Sequence, residues 1–137
     1  MIRPSILLAL LAACLTPPGI VRADTVYAVS FTTGELIGYD SANPSGTKTV
    51  LSGSGSLIKP AALAIGPDGN LYIGEDGNSG AIAPRISMFD LATLTRTTIH
   101  SFASFEVYPG SLAFKGSDLL VGRNSFYSNT EIGRAHV

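Results

Sequence analysis

Glu75, Asp76 and Asn78 place two carboxylates and an amide oxygen within four positions. Hard oxygen donors of this kind suit a cation such as Ca2+. All three are candidate ligand-binding residues, and Glu75 and Asn78 are the candidate metal ligands. The segment lacks the alternating acidic positions and terminal Glu of a calcium-hand loop. The alternative for Asp76-Gly77-Asn78 is a capped turn. Arg123 and Asn124 form a second candidate pair, in which a guanidinium fork could receive an anionic ligand; the alternative for Arg123 is pairing with a loop carboxylate. Arg85 reads as a structural clamp between neighbouring units, its fork bonding several carbonyls.

No catalytic residue is identifiable. His100 lies in an alternating polar and apolar segment and reads as an exposed surface residue, and the other histidine, His136, is the penultimate residue. A Ser-His-acid arrangement therefore cannot be assembled. Gly53-Ser54-Gly55-Ser56 is not followed by Lys and a helix, so it is no phosphate cradle and reads as a flexible linker.

The elements that must carry these groups follow from composition and pattern. The chain has 137 residues, 45% hydrophobic and 14% charged, with 15 Gly, 8 Pro and no Trp. That apolar content is enough for a core and argues against a disordered chain. Nine Lys and Arg against ten Asp and Glu give no basic field, which disfavours nucleic-acid binding through phosphate neutralisation.

Residues 1–23 read as an export signal: Arg3, ten apolar residues at 6–15, a Pro17-Pro18-Gly19 break, and cleavage after Ala23. Ten apolar residues are too few to span a bilayer, which needs about 20, so no transmembrane segment is expected. Leu11-Ala12-Ala13-Cys14 resembles a lipoprotein box, which leaves lipidation at Cys14 as the alternative. The expected location is secreted, periplasmic or at the cell surface, or else lipid-anchored through Cys14. With Cys14 the only cysteine, no disulfide is expected inside the domain. Residues 132–137 resemble an adapter-encoded sequence, interrupt the repeat described next, and read as a non-native tail.

Between these ends, residues 24–131 repeat at intervals of 45 to 50 residues. Pro60-Ala61-Ala62-Leu63-Ala64-Ile65 returns as Pro109-Gly110-Ser111-Leu112-Ala113-Phe114. Val26-Tyr27-Ala28-Val29 returns as Leu71-Tyr72-Ile73-Gly74 and as Leu119-Leu120-Val121-Gly122, and Ile37-Gly38-Tyr39-Asp40 returns as Ile86-Ser87-Met88-Phe89-Asp90. Short apolar runs at this period point to β-propeller blades rather than helical solenoids. In the central unit, Leu63–Ile65 reads as a crowded inner strand and 66–70 as a tight turn. Leu71–Ile73 is the second strand, Arg85–Asp90 a covered third, and 96–102 an outer, half-exposed fourth. The fold expected is all-β: one complete four-stranded blade and two incomplete ones, the third stopping after its second strand.

The stretch from Pro60 to Asn78, followed by Arg85-Ile86 and Phe89-Asp90, resembles the NHL-type repeat of the clan that includes gluconolactonase-like six-bladed propellers. The resemblance maps an acidic residue, a Gly, an Asn and an Arg-Ile pair onto Glu75, Gly77, Asn78, Arg85 and Ile86, with an insertion at 79–84. It implies a ligand site at the channel mouth, lined by loops 30–34, 74–84 and 123–129. The ligand there would be a small molecule, a glycan or a protein. It also implies that further blades lie outside this chain. Two functions remain open: an exported binding or surface-interaction module, or a Ca2+-dependent lactonase-like or sugar-directed hydrolase with one axial metal ion. A quinone-dependent sugar dehydrogenase is a third possibility, which would need basic and aromatic residues around the channel.

Overall fold

The computed structural model describes residues 25–43, 45–46, 48–78, 81–103, 108–124 and 131–135, with Asn124 and 131–135 described as backbone. The signal segment with Cys14 and Ala23, loop residues 125–129 and His136 lie outside the described residues.

Short apolar runs punctuated by Gly, Pro and Asp give ten strands and no helix among the described residues. They are β1 (Thr25–Val29), β2 (Leu36–Asp40), β3 (Thr49–Ser52), β4 (Pro60–Ile65), β5 (Leu71–Glu75), β6 (Arg85–Asp90), β7 (Thr95–Ser101), β8 (Tyr108–Lys115), β9 (Asp118–Asn124) and β10 (Glu131–Ala135). All pairings are antiparallel, in three sheets ordered β1-β2-β3, β4-β5-β6-β7 and β10-β9-β8. The fold is all-β, and the sheets do not close into a barrel.

Local chemistry sets the turns. In Gly66-Pro67-Asp68-Gly69-Asn70, the Asp68 carboxylate accepts the Asn70 backbone N–H at 3.1 Å, and Gly69 takes φ of 81°. Only a residue without Cβ enters that region freely. Asp40 and Asp90, equivalent in the repeat, do the same job after β2 and β6. Each accepts a backbone N–H two residues on, from Ala42 and Ala92, at 2.8 Å. The register repeats as well: Tyr27 stands opposite Gly38, and its counterpart Tyr72 stands opposite Met88.

The three sheets stack through two apolar layers. Between the first and second sheets, Leu36, Leu57, Leu71, Ile73 and Phe89 are buried, with Tyr27, Val29 and Leu51 packed against them. Between the second and third, Tyr72, Ile86, Leu119 and Val121 are buried, with Leu112 and Phe114 alongside. The Tyr72 and Phe114 rings meet edge to face at 4.9 Å between centroids. Every residue of β5 is buried, because the central strand of the middle sheet is covered on both faces. β7 is exposed apart from the half-buried Ile99, as its alternation implies. His100 is exposed, its ring edge to face with Phe102.

Three expectations need correction. Ile65, assigned to a crowded inner strand, is exposed at the end of β4. The third unit does not stop at its second strand: β10 pairs with β9, Glu131 opposite Arg123 through Ala135 opposite Leu119. A free strand edge carries a row of unpaired N–H and C=O groups that an extended segment of almost any sequence can match. The segment set aside at 132–137 therefore supplies most of a strand. The Gly53–Ser56 stretch is no loose linker, for reasons that belong to the site.

Candidate functional site

Strand alternation puts Glu75, Arg85, Ser87 and Phe89 on the face of the middle sheet turned toward the first sheet, and Glu75 stands directly opposite Arg85. The Glu75 side chain is fully buried, so its charge needs partners. Arg85 supplies a fork, Nε to Oε1 at 3.1 Å and Nη2 to Oε2 at 2.8 Å. Ser87 Oγ donates to Oε1 at 2.5 Å, and the Ile58 backbone N–H donates to Oε2 at 2.7 Å. Arg96 Nη1 lies 3.4 Å from both oxygens and also donates to the Ser56 carbonyl. Burial by itself pushes the Glu75 carboxyl up, but the bonds from Arg85, Ser87 and Ile58 with the Arg85 charge outweigh it and hold the group below its ordinary value.

These bonds fasten residues 53–59 as a strap between two sheets. On one side Gly55 N–H donates to the Thr33 carbonyl at 2.7 Å and Leu57 N–H to the Gly34 carbonyl at 3.1 Å. On the other, the N–H groups of Asp76 and Gly77 donate to the carbonyls of Lys59 and Ile58. Gly34 has φ of 69°, and a Cβ there would overlap the Leu57 carbonyl oxygen. Gly77, at 72°, has no room beside the Ile82 carbonyl. Lys59 is itself held in the left-handed region at φ 49°, a conformation that costs a non-glycine residue about 1 kcal/mol or more and that the surrounding bonds maintain.

The strap, the 30–34 loop and Asn78 enclose an open cleft of about 240 Å3. Phe31 presents an exposed ring, Thr32 and Thr33 bring hydroxyls, and Lys59 and Asn78 line the opposite part. Asn78 reconciles its two readings: its backbone closes a tight turn with Ile82, bonded at 2.8 Å and 3.0 Å, while the residue remains exposed at the cleft. Asp76 donates its N–H to Lys59, and its Oδ1 is buried with no hydrogen bond among the described residues. Burial raises its carboxyl above the ordinary value, and the Lys59 charge opposes that rise.

The structure therefore separates the residues grouped by sequence. Glu75 and Asn78 do not fit a shared metal ion, because both Glu75 oxygens already hold two guanidinium groups, a hydroxyl and an amide N–H. No cluster of three or more His, Cys, Asp or Glu among the described residues is placed to hold one. Arg85 clamps, but onto a carboxylate in its own sheet rather than onto carbonyls between units; Arg96 is the residue that reaches across to a carbonyl. Arg123 stands opposite Pro109 and Asn124 opposite Tyr108 at the end of β9, and neither is among the described residues that line the cleft.

Sequence reasoning named the 30–34 loop without singling out Phe31, and it missed Lys59, Ser87 and Arg96. The usable signals were a polar Ser87 on the inward face of a covered strand and a cation directly before Pro60. Compared with protein-family models the chain matches none, and comparison with curated proteins gives no match.

Proposed function

We propose that this chain is an exported repeat protein of the NHL and gluconolactonase-like propeller type, acting as a binding module through the cleft beside Lys59 and Asn78. Its sheets are read as successive blades of a ring to which further sheets belong. The observation that carries this reading is the placement of the cleft. It opens at the end of the sheets where the second-to-third-strand loop of one unit meets the strap leading into the next. The residues behind the family resemblance also have separable physical jobs in support of it. Glu75 and Arg85 form the buried pair, Gly77 takes positive φ, Asn78 closes a turn, and Ile86 fills the core. The saturation of Glu75 weighs against the metal-dependent hydrolase alternative.

The lining defines the ligand chemistry: a flat apolar face for Phe31, hydroxyls for the threonines and Asn78, and one negative charge for Lys59. A small hydroxylated acid fits that set. In a titration of the exported chain with uronic and aldonic acids and their neutral parent sugars, the backbone amide signals of Thr32, Thr33, Gly34, Lys59 and Asn78 should shift with the acids. Lys59→Met should weaken binding of the acids by up to about fivefold, the scale of one exposed charge contact at about 0.2–1 kcal/mol, and leave the neutral sugars unaffected. Shifts confined to residues outside this cleft would overturn the site. Export is checked separately by the mass of the secreted chain, which should begin at Asp24; a lipid-modified Cys14 at the new N-terminus would select the alternative.

A further inference from the structure

The seam between the first and second sheets opens at the end of β1 away from the cleft. Strand alternation puts Thr25, Tyr27, Gly38, Asp40 and Thr49 on the face of the first sheet turned toward the middle sheet. Thr25 stands opposite Asp40, and Gly38 has Tyr27 as its partner on one side and Thr49 on the other. Because Gly38 has no side chain, the three strands leave a hollow there. Leu51 and Leu91, both packed against the buried layer of this seam, complete a groove of about 390 Å3, a size usual for small-molecule sites. Its lining comes from all three strands of the first sheet and from the turn after β6, so it belongs to a seam that two sheets build together.

The equivalent place in the next seam is filled. Met88 stands opposite Tyr72 as Gly38 stands opposite Tyr27. The Met88 side chain packs against the buried layer there, and its sulfur receives the Asn70 amide at 3.7 Å. The Tyr72 hydroxyl donates to Asp68 at 3.1 Å. Four residues before Tyr27 the sequence has Ala23 in place of such a carboxylate, and the half-buried Tyr27 has no hydrogen bond among the described residues. A Cβ at Gly38 would lie 3.3 Å from Thr25 Cγ2 and 3.8 Å from Leu51 and from Tyr27, so side chains wall the hollow on three sides. Asp40 caps the turn after β2 through Oδ1, while its other oxygen accepts no bond among the described residues. It is the one charged side chain among the described residues that line the groove.

We infer that this groove is a second binding site, for a hydroxylated ring that carries one ammonium group, the chemistry of an amino sugar. The Asp40 carboxylate supplies the counter-charge. The hydroxyls of Thr25, Thr49 and Tyr27 both donate and accept, as the hydroxyls of a sugar ring require. The Tyr27 ring, with Leu51 and Leu91, offers an apolar wall to the C–H face of that ring. The site differs from the cleft in place and in sign of charge: Lys59 there selects an acid, and Asp40 here selects a base. It rests on neither the cleft nor the blade reading.

The test is a titration of the exported chain with glucosamine. The backbone amide signals of Thr25, Tyr27, Gly38, Asp40 and Thr49 should shift, and those of Lys59 and Asn78 should stay in place. Glucose and N-acetylglucosamine, which lack the charge, should bind up to about fivefold more weakly, the scale of one exposed charge contact. Asp40→Asn keeps the turn cap and should bring glucosamine down to the level of glucose. Gly38→Met places in the hollow the side chain that the next seam carries, and Thr49→Arg sets a cation beside Asp40 from an exposed position. Each should remove binding while circular dichroism stays that of the parent, and Thr49→Arg carries the test if the tighter Gly38→Met does not fold. The linked dimer of glucosamine distinguishes the two sources of this chemistry, equal affinity marking the free sugar and tighter binding a chain of such sugars. Absence of shifts, shifts centred on the cleft, equal binding of glucosamine and glucose, or undiminished binding by folded Thr49→Arg would each overturn the inference.

Discussion

Glu75→Ala should destabilise the chain by about 3–5 kcal/mol, the cost of removing one partner from a buried ionic network. Two guanidinium groups, the Ser87 hydroxyl and the Ile58 N–H would lose their shared acceptor, and the strap would lose one of its bonds to the middle sheet. For a domain whose whole stability is about 5–15 kcal/mol, that is a large fraction, readable as a fall in the denaturant midpoint. The effect depends on pH with a defined sign. The Glu75 carboxyl is held below its ordinary value of 4.5 in the folded chain, so its contribution is complete above that pH and is lost as pH falls through the lower folded value. Glu75→Gln keeps the shape without the charge and should flatten this part of the acid limb. The hydrogen bonds that lower Asp90 and, against the upward push of burial, Asp68 leave a residual slope of the same sign. Asp76 acts oppositely: its raised carboxyl favours the fold at low pH, and that benefit fades as pH rises through its folded value. An acid limb identical in Glu75→Gln and the parent would remove the clamp from the account.

Phe89→Ala should cost about 3–5 kcal/mol, as expected when a fully enclosed aromatic side chain leaves a cavity. Phe89 is 2% exposed and stands opposite Leu71 in the layer that joins the first two sheets. Its loss leaves the layer underfilled, since the surrounding side chains relax only partly into the space. Ile65→Ala removes a comparable apolar side chain from an exposed site, 57% accessible, and should stay within about 0.5 kcal/mol of the parent. Equal losses at the two positions in chemical denaturation would contradict the placement of the core.

How legible the fold was in the sequence depended on the range of the interaction. The turn at 66–70 was readable because its bonds, Asn70 to Asp68 and Gly69 to Gly66, all close within three residues. The capping Asp40 and Asp90 were readable because they recur at the same place in the pattern. The strap was not. Gly53-Ser54-Gly55-Ser56 has the composition of a flexible segment, and its fixed course comes from its bonds to Thr33 and Arg96 and from those of Leu57 to Gly34 and Lys59 to Asp76. The partners of Glu75 are likewise drawn from 10, 12, 17 and 21 residues away. Spacing along the chain pointed instead to Asp76 and Asn78, which are near in sequence and engaged elsewhere.

Alternation, turn residues and the recurring runs determined on their own that this chain forms short antiparallel strands, because each of those signals acts between neighbours in sequence. Tertiary structure decided which carboxylate is locked in a clamp and where a cleft opens. Those outcomes depend on which strands lie side by side, and a buried charge takes its role from the donors that surround it rather than from its position in the chain.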